Sequence, residues 1–420
     1  MGITAYLMEK KSGKIIGLNE LGELVCRMYI ENHDLEQIIK AYSSRQKIRK
    51  GRAKKEVEEF IKDLQRRELN RENIRIIKKG SNKKQLLTVQ LDLSWKCNLN
   101  CKYCYLTDTR LINPSLSLDE WKDVIKQLQI MGVPKLSFLG GEPLLADHFF
   151  ELAGYASSLG FKIYTTTNGV LVNKEVARSI REVGFNEIDV SVDGATPDVN
   201  DSLRGEGTFF KVIGGIKDLI QAGVEVKTAT VLNKKNKHQV LDLLNLGMNL
   251  GVTQMYFNPL LPSSADSDFW KEQSLSFAEW KIAKEEIESW TSMPSNNVQA
   301  FAESGFDFGD KKQNEYVDIL SYSGCKAGKR EMIITPDGYI AVCPMVSTDR
   351  RFQNMNIREH SLEEIWETDY WINKLREVDK SDVQGKCVDC TNLLECQGGC
   401  HILSYLRYGH LNYPDPRCPH

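Results

Sequence analysis

No stretch of the 420-residue chain approaches the roughly 20 consecutive apolar residues that a membrane-spanning helix needs. An excess of charge of either sign is lacking too. The formal net charge is −2, which argues against bulk attraction to nucleic acid or to an anionic membrane. Met1-Gly2-Ile3-Thr4 opens no secretory signal, so a soluble cytoplasmic protein with no membrane and no nucleic-acid partner is the expectation. In that reducing compartment eleven cysteines point to metal or redox use rather than to disulfides. The length allows two or three domains, and 41% hydrophobic residues suffice for a sizeable core.

Ten of the eleven cysteines fall into two groups, three early and seven late. The early group is Cys97-Asn98-Leu99-Asn100-Cys101-Lys102-Tyr103-Cys104, on the loop leaving a predicted strand at Leu87–Leu93. Three thiolates this close can wrap one face of a metal centre, whereas a closed tetrahedral zinc site wants four. A four-iron cluster held by only three cysteines keeps one iron free for an outside ligand. A zinc loop or three unrelated thiols are the bland alternatives.

The CxxxCxxC spacing resembles that of the radical S-adenosylmethionine (AdoMet, SAM) enzymes. The resemblance implies that Cys97, Cys101 and Cys104 hold a catalytic [4Fe–4S] cluster. It also implies that the free iron chelates the AdoMet amine and carboxylate, and that an electron from the cluster cleaves AdoMet to a 5′-deoxyadenosyl radical. A flavodoxin- or ferredoxin-type donor is the implied source of that electron.

From Leu86 to about Trp290 strand and helix patterns alternate six times. The later strands are Lys135–Leu139, Lys162–Thr167, Glu187–Val192, Glu225–Leu232 and Gln254–Leu260. Such alternation implies parallel strands in a partial (β/α)6 barrel, with functional residues at the C-terminal strand ends. The second strand ends in Gly140-Gly141-Glu142-Pro143, where glycines allow close backbone approach and a carboxylate suits an ammonium group. By resemblance this motif holds the AdoMet methionine amine, Ser191 the ribose, and Arg204 the carboxylate. By the same resemblance Asn168 lies close to the ligand and Tyr103 backs the adenine.

The late group comprises Cys325, Cys343, Cys387, Cys390, Cys396, Cys400 and Cys418, with a turn at Pro336-Asp337-Gly338 bringing Cys343 back beside Cys325. Cys387 to Cys400 alone could form a zinc ribbon. The whole array looks like the SPASM extension of radical SAM enzymes, which carries two auxiliary [4Fe–4S] clusters. The resemblance assigns Cys387, Cys390, Cys396 and Cys418 to the outer cluster and leaves Cys325, Cys343 and Cys400 for the inner one. Two full clusters need eight cysteines, and residues 314–324 supply no eighth. The inner cluster is therefore expected to have an open iron suited to a substrate thiolate, unless His401 fills it.

The first seventy residues read as a hairpin around Lys10-Lys11-Ser12-Gly13 followed by three helices, a winged-helix binding module. Asp34 and Gln37 form a capping-box pair, and Cys26 reads as a packed core residue. A basic run from Arg45 to Lys55 is expected in the loop between helices two and three. The module resembles the recognition element fused to maturases of ribosomally made peptides, where a leader peptide adds as a strand. That edge falls near Lys14 to Leu18, and Ile74 to Lys78 is a candidate third strand.

The expected division is a winged-helix leader-peptide module at 1–70, a linker at 71–85, a radical SAM barrel at 86–310 and an iron–sulfur SPASM domain at 311–420. The expected activity is thioether crosslinking of a precursor peptide with a leader sequence. Carbon–carbon or carbon–oxygen crosslinking and sulfatase-type side-chain oxidation are alternatives in the same chemistry. A zinc-containing winged-helix DNA regulator is the alternative of another class.

Overall fold

The computed structural model describes residues 3–9, 15–67, 69–72, 74–78, 86–106, 115–262, 268–302, 325–378, 382–391, 393–396 and 398–419. They fall into two compact units, one from the first 85 residues and one from Leu86 onward. The turn expected at residues 10–13 and the boundary expected at 310/311 lie outside the described residues.

The first unit runs β1 (Ile3–Glu9), β2 (Ile15–Asn19), α1 (Glu20–Ile30), α2 (Leu35–Gln46), α3 (Lys50–Arg66) and β3 (Ile74–Lys78). The Asn19 side chain accepts the Gly22 N–H to start α1, and Asp34 and Gln37 cap α2 reciprocally. Leu7, Leu18, Val25, Ile38, Ile39, Val57, Leu64 and Ile74 close its core. The strands form an antiparallel sheet in the order β2-β1-β3, so β2 is an edge strand.

Two expectations change here. Part of the segment expected as a linker is strand, because Ile74 and the alternate Ile76 bury against the helices as one face of β3. The basic run is mostly helical rather than loop, since α3 begins at Lys50. Its cations face the module's own acids. Arg45 pairs with Glu20, Lys50 with Glu36 at 2.6 Å, Arg52 with Glu56 at 2.8 Å and Lys54 with Glu58 at 3.9 Å.

The second unit alternates β4 (Thr88–Ser94), α4 (Leu118–Ile130), β5 (Lys135–Gly140), α5 (Phe149–Ser158), β6 (Lys162–Thr167), α6 (Lys174–Val183) and β7 (Glu187–Ser191). It continues through α7 (Pro197–Arg204), α8 (Thr208–Gln221), β8 (Val226–Leu232), α9 (Val240–Leu250), β9 (Gln254–Pro259), α10 (Asp268–Gln273), α11 (Phe277–Thr291) and β10 (Gln299–Ala302). Strands β4 to β10 pair in parallel and in sequence. On β4, Val89, Leu91 and Leu93 pack into the core, which leaves Gln90, Asp92 and Ser94 on the opposite face.

After β10 come β11 (Glu331–Ile334), β12 (Ile340–Ala341), α12 (Leu362–Thr368), α13 (Tyr370–Glu377), α14 (Leu393–Cys396) and α15 (His401–Tyr408). Strand β11 pairs in parallel with β4, and β12 pairs antiparallel with β11. The sheet thus runs past the six expected strands at both edges, by β10 on one side and by the β11–β12 hairpin on the other. The two stretches expected as separate barrel and cluster domains therefore share one sheet and one core. Among the described residues no helix is long and apolar enough to cross a membrane.

Candidate active site and cysteine clusters

The C-terminal ends of the parallel strands surround a cavity of about 660 Å³. Cys97, Cys101 and Cys104 line it, together with Tyr103, Gly140, Gly141, Asn168, Ser191 and Arg204. The loop after β4 is tied to the end of β5 by backbone bonds, Gly141 N–H to the Ser94 carbonyl and Glu142 N–H to the Lys96 carbonyl, each 2.8 Å. Gly140 has φ +122°, and a Cβ on Gly141 would come within 2.6 Å of the Trp95 carbonyl oxygen and closer still to that of Lys96. Only glycine lets these two strand ends approach so closely. On the far side of the loop, Lys102 N–H donates to the Leu203 carbonyl at 3.0 Å.

Glu142 sits differently from the expectation that it faces the ligand. It is fully buried, outside the cavity lining, and its carboxylate accepts the Thr167 hydroxyl at 2.7 Å and the Asn168 N–H at 2.8 Å. Burial raises its pKa, and these bonds oppose the rise. Two donors from β6 and the residue after it hold the carboxylate inward, so Glu142 positions Asn168. The Asn168 side chain in turn donates to Asn98 at 2.7 Å, within the cysteine loop.

Tyr103 and Arg204 meet at Asp193. The Arg204 guanidinium donates to the Tyr103 hydroxyl at 2.7 Å and to Asp193 at 2.8 Å, and the Tyr103 hydroxyl donates to Asp193. The other Asp193 oxygen accepts the Val231 N–H at 2.8 Å. Arg204 is 5% exposed, and its Nε is buried without a partner among the described residues. Nothing local in the sequence marks Asp193 as the anchor of Arg204 and Tyr103, because the three meet only in the fold.

Further cavity residues escaped the sequence reading: Asp189, Lys227, Tyr256 and Tyr105. Asp189 and Lys227 are register partners on β7 and β8. Lys227 is buried, pairs with Glu187 at 2.5 Å and lies 5.3 Å over the Tyr256 ring. Burial works against its charge, yet Glu187 keeps its pKa above the ordinary lysine value. The alternation Glu187-x-Asp189-x-Ser191, which puts all three on one strand face, could have found Asp189 beside Ser191, whereas Lys227, Tyr256 and Tyr105 carry no such local signal.

The late cysteines gather into two further sets. Burial holds the Cys343 thiol well above its ordinary pKa, and neighbouring Cys400 and Cys325 add to the effect. Cys396 is pushed up to about 11 by burial, with Cys418 and Cys387 as neighbours, and Cys387 feels Cys418 and Cys390. Cys400 is pushed up to about 12 and Cys101 to about 11, both by burial first. The remaining thiol, Cys26, is 0% exposed in the core of the first unit, and burial alone lifts it to about 12. The buried His401 ring stands 3.0 Å from the Leu411 carbonyl through Nδ1, and burial lowers its pKa to about 4.

Thiols this deep are poor thiolates on their own, and a ligated metal supplies the missing positive charge. Among the described residues no three His, Cys, Asp or Glu side chains converge as ligands of a single ion. A four-iron cluster sets each thiolate on a different iron and asks for a wider ring, so three grouped sets of cysteines suit it. The AdoMet residues fit as well, with the glycines packed against the cysteine loop and the Arg204 side chain both at the cavity.

Comparison with known proteins finds three family matches along the chain. The radical SAM superfamily profile matches residues 94–247, the SPASM iron–sulfur cluster-binding domain residues 325–391, and coenzyme PQQ synthesis protein D (PqqD) residues 5–69. Mycofactocin maturase MftC of Mycobacterium ulcerans is 28% identical over 334 residues, 78% of this chain and 86% of its own. The AdoMet-dependent heme synthase of Methanosarcina barkeri is 27% identical over 346 residues, 78% of this chain and 94% of its own. The Streptococcus suis SuiB structure with S-adenosylmethionine superposes with a TM-score of 0.74 at 18% identity, covering 100% of this chain and 99% of SuiB. The structure of anSMEcpe with bound AdoMet gives 0.64 at 19% identity, covering 78% and 93%. The chain is a radical SAM enzyme whose sequence runs from a PqqD-type module through the radical SAM domain to a SPASM iron–sulfur cluster-binding domain.

Proposed function

We propose that this enzyme modifies a ribosomally made precursor peptide and installs a thioether link between a cysteine sulfur and a carbon of that peptide. The PqqD-type module carries the peptide part of the reading. Its β2 edge is a place for a leader peptide to add as a strand, a mode in which main-chain bonds give affinity. Two names among the similar proteins support it: a mycofactocin maturase, and SuiB, whose structure was also determined bound to its precursor peptide SuiA. Other relatives are named heme synthases, and the module is the feature that favours a peptide over a small molecule.

Bound AdoMet and the first cluster would together supply 5′-deoxyadenosyl-radical chemistry at a substrate carbon. Cys97, Cys101 and Cys104 hold that cluster. Gly140 and Gly141 let the end of β5 close against the cysteine loop at the cavity, and Asp193 and Tyr103 fix the Arg204 guanidinium there. Asn168, held by Glu142, fixes the loop at Asn98. Cys387, Cys390, Cys396 and Cys418 hold an outer auxiliary cluster, and Cys325, Cys343 and Cys400 an inner one.

The observation that carries thioether over carbon–carbon linkage is the missing eighth cysteine. Three thiolates leave the inner cluster with room for a soft donor, and a substrate cysteine is such a donor. The test is electron paramagnetic resonance on the chain with Cys97, Cys101 and Cys104 replaced by alanine. Adding a leader-bearing peptide that contains cysteine should change the inner-cluster spectrum, and the same peptide with its cysteines replaced by serine should not. A spectrum indifferent to both peptides favours carbon–carbon crosslinking.

A further inference from the structure

Asp415 and Arg417 form an ion pair whose side chains are 0% and 7% exposed. Arg417 donates through Nη2 at 2.6 Å and through Nε at 3.0 Å, one bond to each carboxylate oxygen. The same carboxylate accepts the Cys400 backbone N–H at 2.8 Å. Cys418 directly follows Arg417, and its N–H donates to the Asp415 carbonyl at 2.9 Å. Asp415 is thus hydrogen-bonded to a cysteine of the inner set through its carboxylate and to a cysteine of the outer set through its carbonyl, and Arg417 directly precedes the latter in the chain. Gly399, beside Cys400, packs so tightly on Asp415 that a Cβ there would come within 2.6 Å of the Asp415 Cβ. The guanidinium also lies in the electrostatic neighbourhood of Cys400 and Cys396.

Stability alone is a weak reason for such a pair, because desolvating two charges offsets most of their attraction and packed apolar residues often do as well. Its position supplies a better one. Reduction of an iron–sulfur cluster adds one electron and hence one negative charge, and net charge close to a cluster is among the factors that set its potential. In a water-poor interior such charge interactions are far stronger than in water.

We propose that Arg417 and Asp415 set the redox balance of the auxiliary clusters, the guanidinium favouring the reduced state and the carboxylate opposing it. The inference rests on the reading that the seven late cysteines hold two clusters. They are positioning residues: neither touches substrate, and each acts on the clusters by its charge.

The test is a potentiometric titration, with dithionite as the electron source, followed by paramagnetic resonance. It uses the full chain reconstituted with iron and sulfide, with Cys97, Cys101 and Cys104 replaced by alanine so that only auxiliary signals remain. Arg417→Met should move an auxiliary midpoint to more negative potential and Asp415→Asn to more positive potential. Arg417→Lys, which keeps the charge, should stay near the parent. Opposite signs are the discriminating result, since damage to a merely structural bolt moves both variants alike. Midpoints that stay put, or move together, at unchanged iron content overturn the proposal. Should Arg417→Met lose iron, Asp415→Asn decides alone, because its side-chain oxygen still accepts the Cys400 N–H, and no positive shift overturns the proposal. A parent chain without auxiliary signals overturns the two-cluster reading, and this inference with it.

Discussion

Arg204 has its charge balanced at a single residue, Asp193, and both are almost fully buried. Stripping one partner from a buried pair typically costs ~3–5 kcal/mol, because the other charge is left in the protein interior. Asp193→Ala should therefore lower the unfolding free energy from urea titration by that order and weaken AdoMet binding, whereas a loss under ~1 kcal/mol means that Arg204 finds another partner. Gly141→Ala should drive a methyl group into the Trp95 and Lys96 carbonyls and displace the cysteine loop. Its expected signature is lost AdoMet cleavage and a lower iron count, with auxiliary-cluster signals retained. Asp92 gives the pH test. Burial raises its pKa to about 6 against the bond from Gln90, so the folded state binds a proton that the unfolded chain has released. Stability contributed by that group is full below the unfolded pKa near 3.8 and is lost as pH rises through about 6. Asp92→Asn should thus raise urea stability at pH 8 by a few kcal/mol, on the order of 1.4 per pKa unit, with the gain fading towards pH 4. An equal gain at both pH values contradicts the assignment. The ten clustered cysteines, Gly140 and Gly141 are legible in the chain because their spacing is local. The Asp189–Lys227 pair is not, since it exists only once β7 and β8 take their register.

Among the elements, β3 alters how the first unit must be cut. It pairs with β1 from Ala5 to Glu9, so a truncation after residue 70 leaves half of the β1 hydrogen-bonding partners stranded in the wrong piece. Deleting residues 1–78 removes the module whole. The truncated enzyme should keep peptide-independent AdoMet cleavage and lose modification of a leader-bearing peptide, as read by 5′-deoxyadenosine release and peptide mass. Equal peptide turnover contradicts a leader-binding role. The ion pairs of the basic run make a second prediction. Because Arg45, Lys50, Arg52 and Lys54 each face an acid of the same module, replacing all four by glutamine should change leader affinity only a few-fold, exposed pairs being worth ~0–1 kcal/mol each. A large loss of affinity makes the run part of the docking site. The six central strands were readable because each is a run of alternating or continuous apolar residues bounded by helices. Strands β10, β11 and β12 were not, with four, four and two residues, and β11 owes its place to a partner more than 200 positions away on β4.

At the scale of the whole molecule, ten cysteines in three sets imply about twelve iron atoms per reconstituted chain, if each set holds a four-iron cluster. About four, accompanied by stoichiometric zinc, contradicts the auxiliary clusters. The central claim joins the two ends of the chain: a peptide held by the first unit is crosslinked at the cavity of the second. The measurement that tests it most directly is tandem mass spectrometry of a leader-bearing, cysteine-containing peptide after incubation with the reduced, reconstituted enzyme and AdoMet. The expected product is a peptide lighter by two hydrogens per link, whose cysteine no longer reacts with an alkylating agent and whose fragments join sulfur to a carbon of another residue. A peptide that loses two hydrogens while its cysteines stay open to alkylation contradicts the thioether assignment, and a peptide that is unchanged while AdoMet is cleaved contradicts the peptide substrate itself.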